Sequence, residues 1–241
     1  MRKLLLMGML ACTIFLSGCS LVDEYFLPPA DDTVQEIFEA GNDAMREKNY
    51  SQAIVYYTRI KDDFPFSPYV IEAELALADA HYLDGEYPLA AEAYKDFETL
   101  HPRHEAIPYV LYQTGMSLKN SYTSIDHSAT PVNEALEYFT RLHQEYPDTE
   151  YGKNAVEQIA ACRKTLAQRE LFIANVFWGM ENYQAAWTRY QYVVRNFPDV
   201  KEEAEYAKTK GEAAFLKYRK EEAQSMREHQ QGSWKDWFRW L

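Results

Sequence analysis

The sequence is short of cysteine, of glycine and of positive charge. Its 241 residues include three cysteines and nine glycines, and 25 Lys and Arg stand against 37 Asp and Glu, for a formal net charge of -12. Cysteines at positions 12, 19 and 162 are too few and too badly placed for a disulfide framework, so packing has to hold the fold. The shortage of cations argues against a protein that follows nucleic-acid phosphates. We therefore expect no nucleic-acid partner.

The sequence also has no hydrophobic run long enough to cross a bilayer. The longest, Leu4 to Leu16, has 13 residues, whereas a spanning helix needs about 20. A basic start at Arg2 and Lys3 precedes this run, which is the pattern of a signal peptide. We predict that residues 1–18 are removed, which changes the formal charge of the mature chain from -12 to -14.

The run ends in a segment that is similar to the lipobox of bacterial lipoproteins, Leu16-Ser17-Gly18-Cys19. In such proteins the Cys becomes the first mature residue and carries a thioether-linked diacylglycerol and an N-acyl chain such as palmitate. We predict Cys19 as the lipidation site; the alternative is an ordinary secretory signal with a chance Cys. Ser20, in place of Asp, resembles lipoproteins sorted to the outer membrane. Residues 19–32, with Pro28-Pro29, are predicted to be a tether.

Catalytic and metal-binding patterns are missing too. His101 and His104 have no third ligand nearby in sequence, and there is neither a Gly-rich phosphate loop nor a nucleophile elbow. Cys162 continues an apolar helical stripe, which favours a core position over a reactive thiol. We therefore expect no enzymatic activity, no cofactor and no metal site.

What the sequence does contain is an internal repeat. Four segments align on an alanine, and a proline follows twelve residues after each one. An aromatic residue lies four positions after each alanine and an apolar residue seven positions after it, which places them on one face of a helix that the proline ends. The alanines are Ala53, Ala90, Ala135 and Ala186, the aromatics are Tyr57, Tyr94, Phe139 and Tyr190, and the prolines are Pro65, Pro102, Pro147 and Pro198.

A small residue precedes each alanine by twelve positions. These are Gly41, Ala78, Ala174 and, once an eight-residue insert is removed, Gly115; Gly211 and Ala223 extend the pattern to a fifth unit. The 37-residue unit resembles the tetratricopeptide repeat, in which a small residue on helix A lets the alanine of helix B pack closely. We predict an all-α tetratricopeptide-repeat superhelix, an α-solenoid, of about five helix pairs. The alternative is a non-repeating helical bundle in which these spacings coincide by chance.

Departures from the repeat divide the chain. A Ser- and Thr-rich insert from Ser121 to Thr130 predicts a surface loop. The step of 27 positions from Pro147 to Ala174 predicts one helix of about 30 residues, capped near Thr149. We predict front repeats one to three at 33–147 and back repeats four and five at 148–230. The aromatic tail, 231–241, could lie in a membrane interface, enter a partner groove or pack on the last repeat.

Three turn segments carry a resemblance to a known family. They are Phe64-Pro65-Phe66-Ser67-Pro68-Tyr69, His101-Pro102 with Ile107-Pro108-Tyr109-Val110-Leu111-Tyr112, and Tyr146-Pro147-Asp148-Thr149-Glu150-Tyr151. Together with the lipobox and the repeats, they resemble the BamD family, tetratricopeptide lipoproteins of the outer-membrane β-barrel assembly machine. The tail departs from the family's pattern.

The resemblance implies a lipid-anchored protein on the periplasmic face of the outer membrane, working with accessory lipoproteins. Its back half would bind the periplasmic domains of the barrel-forming subunit. Its front half would receive the C-terminal signal of unfolded outer-membrane proteins. The alternative is an adaptor lipoprotein for cell-wall enzymes or an envelope transport system.

Stacked helix pairs are expected to line a peptide groove with their A helices. Aromatic side chains among amides and cations suit an extended peptide with a terminal carboxylate. Tyr109 and Tyr112 could instead be inter-repeat core, and Arg46 and Lys119 could belong to a solvated face. The predicted groove residues are Phe38, Asn42, Arg46, Asp79, Tyr82, Tyr109, Tyr112, Lys119, Asn120, Asn175 and Trp178.

Overall fold

The computed structural model describes residues 33–231, which fold into nine helices. The predicted signal peptide, Cys19, the tether up to residue 32 and tail residues 232–241 lie outside the described residues. Within residues 33–231, no helix has the length and hydrophobicity of a transmembrane segment. The helices are α1 Val34–Arg46, α2 Tyr50–Asp63, α3 Val70–Leu83, α4 Tyr87–Leu100, α5 Ile107–Ser121, α6 Thr130–Glu145, α7 Glu150–Gly179, α8 Tyr183–Asn196 and α9 Lys201–Gln231.

The described chain divides into a first compact unit that ends at Glu74 and a second that begins at Leu75. In the first unit, α1 packs on α2. A capping box begins α1: the Thr33 side chain accepts from the backbone N–H of Glu36 at 3.2 Å, and the Glu36 carboxylate accepts from the backbone N–H of Thr33 at 2.8 Å. Reciprocal capping satisfies orphan donors and sets where the first helix starts.

In the second unit each helix from α4 onward packs on the next one along the chain, and α5 also packs on α7 and α7 on α9. This is the neighbour pattern of stacked helix pairs, in which A helices contact each other across repeats. Its largest fully buried side chains include Tyr94, Phe97, Phe139, Leu142 and Tyr190, all on the B helices. The predicted all-α fold of tetratricopeptide type is confirmed. The functional division into front and back repeats stays a prediction.

At Gly41 and Gly115, the small residue of helix A lies directly against the aromatic ring of helix B. A Cβ added to Gly115 would lie 2.7 Å from the Phe139 ring, and one added to Gly41 would lie 2.6 Å from the Tyr57 ring. Both aromatic rings are fully buried. The aligned glycines are therefore needed because a ring occupies the space that a side chain would fill.

The prolines sit in turns that repeat almost identically between units. The residue before each proline, Phe64, His101, Tyr146 or Phe197, has φ between -126 and -131° and ψ between 47 and 54°. Its carbonyl oxygen accepts from the backbone N–H three residues later, at 2.9 to 3.2 Å. The repeat spacing in the sequence thus follows from one turn geometry used four times.

The long helix and the insert are both as predicted. Helix α7 has 30 residues, and its N-cap Thr149 accepts from the backbone N–H of Gly152 at 3.0 Å. The residues between α5 and α6 form a loop with no regular structure. Cys162 is fully buried in the core next to this helix's other apolar residues, as expected.

The fifth helix pair, predicted from Gly211 and Ala223, is instead one helix: α9 continues without interruption for 31 residues, and Ala223 is exposed on it. In repeats one, two and four, the turn between helices A and B has a residue with positive φ seven positions after the small residue. These residues are Lys48, Gly85 and Glu181. The same position in unit five is Tyr218. A bulky aromatic side chain disfavours that backbone region, so the helix continues.

Candidate functional site

In the first compact unit, the predicted groove residues lie along α1. The Oδ1 of Asn42 accepts from the Tyr57 hydroxyl at 2.8 Å, and the Phe38 ring packs on Tyr57 and Tyr69 with centroid distances of 6.0 and 5.2 Å. Arg46 is exposed and pairs with Asp43, one turn away on the same helix. Phe38 and Asn42 therefore serve packing within the unit, and the Arg46 cation already has a carboxylate partner.

In the second compact unit, Asp79 of α3 forms hydrogen bonds that connect three helices. Its Oδ1 accepts from the hydroxyls of Tyr94 and Tyr109, both at 2.6 Å, and the Tyr109 hydroxyl accepts from Gln113 at 3.1 Å. Burial raises the pKa of Asp79, although the two phenol hydroxyls act in the opposite direction. Burial and the nearby Asp79 raise the pKa of Tyr94 and Tyr109, so both phenols keep the protons that they donate.

Four further predicted residues lie beside this cluster. Asn120 donates to the Tyr82 hydroxyl at 3.1 Å, and Lys119 donates to Gln158 of α7 at 2.6 Å. The Tyr112 ring packs on Phe139 and Tyr151 at 5.7 Å each, and Tyr109 also meets Tyr151 at 5.5 Å. The second unit thus brings six of the predicted residues onto adjacent A helices, which we call the A-helix face: Asp79, Tyr82, Tyr109, Tyr112, Lys119 and Asn120.

Asn175 and Trp178 lie farther along α7. Asn175 Oδ1 accepts from the hydroxyls of Tyr190 at 2.6 Å and Tyr206 at 3.1 Å, and burial raises the pKa of Tyr190 to about 12. Trp178 meets Tyr183 with a centroid distance of 5.3 Å. In repeats one, two and four, the polar residue that follows the small residue therefore accepts a hydrogen bond from a tyrosine hydroxyl. We had expected that residue to face a ligand.

Two lysines that the sequence analysis did not select lie against Trp178. The ammonium nitrogens of Lys210 and Lys217 on α9 are 5.5 and 4.9 Å from the centroid of the Trp178 ring. The groove residues were chosen six and three positions before the small residue and one, four and five positions after it. Lys210 and Lys217 lie one position before and six after Gly211, so this choice missed them. Their spacing of seven, which puts both on one face of a helix, was the available signal.

An open cavity of about 430 Å³ lies near Lys210, whose ammonium contacts the ring of the cavity-lining residue Tyr206. Its lining mixes apolar side chains with two carboxylates and includes Asn175 and Tyr206. The full lining is Ile125, Gln168, Leu171, Phe172, Asn175, Glu202, Glu203 and Tyr206. Among residues 33–231 no group of three or more His, Cys, Asp or Glu could hold a metal ion. Burial raises the pKa of the Cys162 thiol to about 11, which disfavours the thiolate.

Asp79→Asn is expected to melt a few degrees higher than the unsubstituted chain at pH 7.5, with a smaller difference at pH 4.5. Burial favours the protonated carboxyl, so the folded chain binds this proton more tightly than the unfolded chain. The contribution of Asp79 to stability is therefore highest below the usual aspartate pKa and falls as pH rises through the raised folded-state pKa. Asparagine has no such charge, and Asn42 and Asn175 occupy the equivalent positions.

Thermal melts of both chains at the two pH values check this. Asp96→Asn, at an exposed position on α4, is the matched control, since it removes a carboxylate from the same compact unit without removing a buried one. A variant that is less stable than the unsubstituted chain at pH 7.5 would mean that the charged hydrogen bonds outweigh the cost of burial.

The helix pairs, their common turns and the A-helix face define a repeat protein of the tetratricopeptide type. A protein family described as "YfiO: Outer membrane lipoprotein" matches residues 30–230. The chain belongs to this family, and the resemblance to BamD proteins found in the sequence is confirmed.

Curated relatives agree with this assignment. "Outer membrane protein assembly factor BamD" of Neisseria meningitidis serogroup A is 27% identical over 83% of this chain and 79% of its own length. The protein of the same name from Vibrio cholerae is 26% identical over 83% of this chain and 85% of its own length. A solved structure titled "TPR2AB-domain:pHSP90-complex of yeast Sti1" aligns with 76% of this chain and 75% of its own, with a TM-score of 0.42 and 14% identity.

Proposed function

We propose that this chain is a lipid-anchored scaffold for the assembly of outer-membrane β-barrel proteins, on the periplasmic face of the outer membrane. The observation that carries the proposal is the family match over residues 30–230, whose relatives are named outer membrane protein assembly factors. The predicted lipidation at Cys19 supplies the anchor, with residues 19–32 as tether. The chain acts by binding other polypeptides.

The A-helix face supports binding of an extended polypeptide. Tyr82, Tyr109 and Tyr112 are half-buried, so part of each side chain stays accessible. Tyrosine provides a large contact area with few rotatable bonds. The partners in this proposal are the periplasmic domains of the barrel subunit and the C-terminal signal of unfolded outer-membrane proteins, with accessory lipoproteins in the same complex.

Two residues of this face also contact neighbouring repeats. Because Tyr112 packs on Phe139 and Tyr151, and Lys119 donates to Gln158, these side chains contribute to packing between repeats. Loss of peptide binding in a Tyr112→Ala, Lys119→Ala variant would therefore be accompanied by lower stability. Binding tests on this face need a substitution that keeps the ring, such as Tyr82→Phe.

Affinity purification of the lipidated chain from detergent-solubilised membranes tests the proposal. We expect it to recover a membrane β-barrel subunit and accessory lipoproteins at least tenfold enriched over a purification through an unrelated outer-membrane lipoprotein. Recovery of cell-wall hydrolases or transport components, with no barrel subunit, would contradict the proposal and favour the adaptor alternative.

A further inference from the structure

The cavity between α7 and α9 depends on a departure from the repeat. Its walls come from the long helix α7, from the start of α9 and, through Ile125, from the insert between α5 and α6. Arg169 of α7 donates from Nε to the carbonyl oxygen of His127 at 3.0 Å, which holds the insert loop against that helix. A regular repeat without the insert would lack this third wall. We call this space the α7–α9 cavity.

The α7–α9 cavity has the size and lining of a binding site. Its volume of about 430 Å³ is within the range of about 300–1,000 Å³ that is typical of ligand sites, which are mostly apolar with a few placed polar groups. Ile125 and Leu171 provide apolar surface, and Phe172 and Tyr206 provide aromatic rings. Phe172 is 40% exposed and Tyr206 is 41% exposed, so both rings keep surface for a ligand.

Two carboxylates in the lining have unused hydrogen-bonding capacity. Glu203 is 7% exposed, and its Oε1 accepts from Gln168 at 2.8 Å and lies 3.8 Å from the ammonium of Lys164. Among the described residues no hydrogen bond reaches its Oε2, and none of them pairs with the neighbouring Glu202. A carboxylate has about four acceptor sites, so a nearly buried one with two partners can accept further donors.

Cations of the described chain leave this charge largely unbalanced. Among residues 33–231, no Lys or Arg lines the cavity. The Lys164 side chain is 52% exposed, and such solvent-exposed pairs contribute little. Lys210 approaches the Tyr206 ring, with its ammonium 5.9 Å from the ring centroid, and pairs with neither carboxylate. The cavity therefore has a negative potential that favours a cationic ligand.

An arginine side chain fits this lining. Its guanidinium has five donors in a planar fork that matches carboxylates, and it stacks on aromatic faces. Its methylene stem packs along apolar surface while the charged end stays with polar groups. An anionic group would instead be repelled by Glu202 and Glu203.

We propose that the α7–α9 cavity binds an arginine side chain of a partner subunit, with the guanidinium on Glu202 and Glu203 and the stem against Leu171 and Phe172. This inference rests on the proposed function and specifies one contact by which the scaffold holds a subunit. It concerns a permanent partner and not the polypeptides that are being assembled.

The arginine has to come from another chain. Mature residues before Thr33 contain no Lys or Arg. Arg239 in the tail is eight residues beyond Gln231, which is at most about 29 Å of extended chain. Tyr206 is 25 residues before Gln231 on α9, about 37 Å along the helix, so Arg239 of the same chain does not reach the cavity.

The selectivity of the cavity favours a subunit of fixed sequence. A site that fits one type of charged side chain discriminates against other residues at that position. Unfolded substrates of many sequences need a surface that tolerates variation, whereas a subunit presents the same arginine each time.

Titration of the mature full chain in detergent, followed by NMR, tests the chemistry. The probe is Nα-acetyl-arginine methylamide, and its matched analogue contains citrulline, which has nearly the same shape and no charge. We expect a Kd of roughly 1 mM for the arginine probe and binding at least about tenfold weaker for citrulline, because the charge-assisted contacts are lost. Glu202→Gln with Glu203→Gln should abolish this difference.

Glu205→Gln with Glu212→Gln is the matched control, since it removes two exposed carboxylates of α9 outside the cavity lining and should keep the difference. Glu202→Gln alone, at an exposed position, should weaken the arginine probe a few-fold and serves if the double variant does not fold. Equal binding of the two probes to the unsubstituted chain would overturn the inference. So would loss of the difference in the control variant, or equal binding of the corresponding lysine probe.

Affinity purification of the lipidated chain links the cavity to a subunit. We expect the Glu202→Gln, Glu203→Gln variant to recover one subunit of the assembly complex at least about tenfold less well than the Glu205→Gln, Glu212→Gln variant does. Unchanged recovery of every subunit would overturn the inference even where the arginine probe binds. A purification in which the unsubstituted chain recovers no barrel subunit is a separate result, which contradicts the proposed function whatever the probe does.

Discussion

Gly152→Ala is expected to destabilise the second compact unit by about 3 kcal/mol and to lower its melting temperature by roughly 10 °C. A Cβ at this position would overlap the carbonyl oxygen of Tyr146 and lie 2.9 Å from its carbonyl carbon. That oxygen cannot move away easily, because it accepts from the Thr149 hydroxyl at 2.8 Å and from the Thr149 backbone N–H at 3.2 Å. The close approach closes the turn between α6 and α7.

The same substitution should also disturb the A-helix face. Tyr151, the residue before Gly152, packs on Tyr109 and Tyr112. The Gly152 N–H donates to the capping Thr149, and its carbonyl oxygen lies 3.0 Å from His143 Nδ1. Displacing this first turn therefore moves a ring that orders two of the predicted binding residues. We expect weaker peptide binding as well as a lower melting temperature.

Gly179→Ala, at the other end of the same helix, is the matched control. An added Cβ there has nothing within 4 Å, so alanine should stabilise the helix by up to about 1 kcal/mol. Thermal or denaturant unfolding of the two variants is the measurement. Equal effects of the two substitutions would show that helix propensity alone determines the change in stability, and that the contact with Tyr146 does not constrain the turn.

Local chemistry explains why much of the fold could be predicted. The proline turns, the N-cap Thr149 and the long α7 each depend on a few neighbouring residues whose backbone preferences are strong. The prediction of a fifth helix pair was wrong because the small-residue spacing continues to Ala223, whereas Tyr218 disfavours the positive φ that the turn between helices A and B requires. The repeat pattern marks positions that pack, and it does not by itself require a break between helices.

The candidate site was less predictable, because side-chain partners come from different repeats. One signal was available: Tyr57, Tyr94 and Tyr190 each lie fifteen residues after the Asn or Asp whose side chain accepts their hydroxyl. Unit three has Phe139 and Met116 at these positions and lacks the bond. For the lysines beside Trp178 the sequence offered their spacing of seven, but this spacing does not show which rings α7 and α8 present to α9.

Cys19→Ser is expected to move the protein from the membrane fraction to the soluble periplasmic fraction, by roughly 100-fold in the ratio of bound to free. Each methylene buried in the bilayer contributes about 0.8 kcal/mol, and stable anchoring takes about two acyl chains, whereas the predicted lipidation supplies three. Electrostatic attraction offers no substitute, because a mature chain with a net charge near -14 is repelled by anionic lipid headgroups.

Cys12→Ala is the matched control, since it changes another cysteine of the same N-terminal segment and should leave both acylation and fractionation unchanged. Intact-mass measurement of the N-terminal peptide shows whether acyl chains are present, independently of fractionation. An unacylated Cys19→Ser protein that stays with the membrane would contradict the lipid anchor as the main attachment. Removing residues 232–241 from that variant then decides whether the Trp-rich tail holds it there, because an interfacial aromatic segment is the other membrane-binding feature predicted from the sequence.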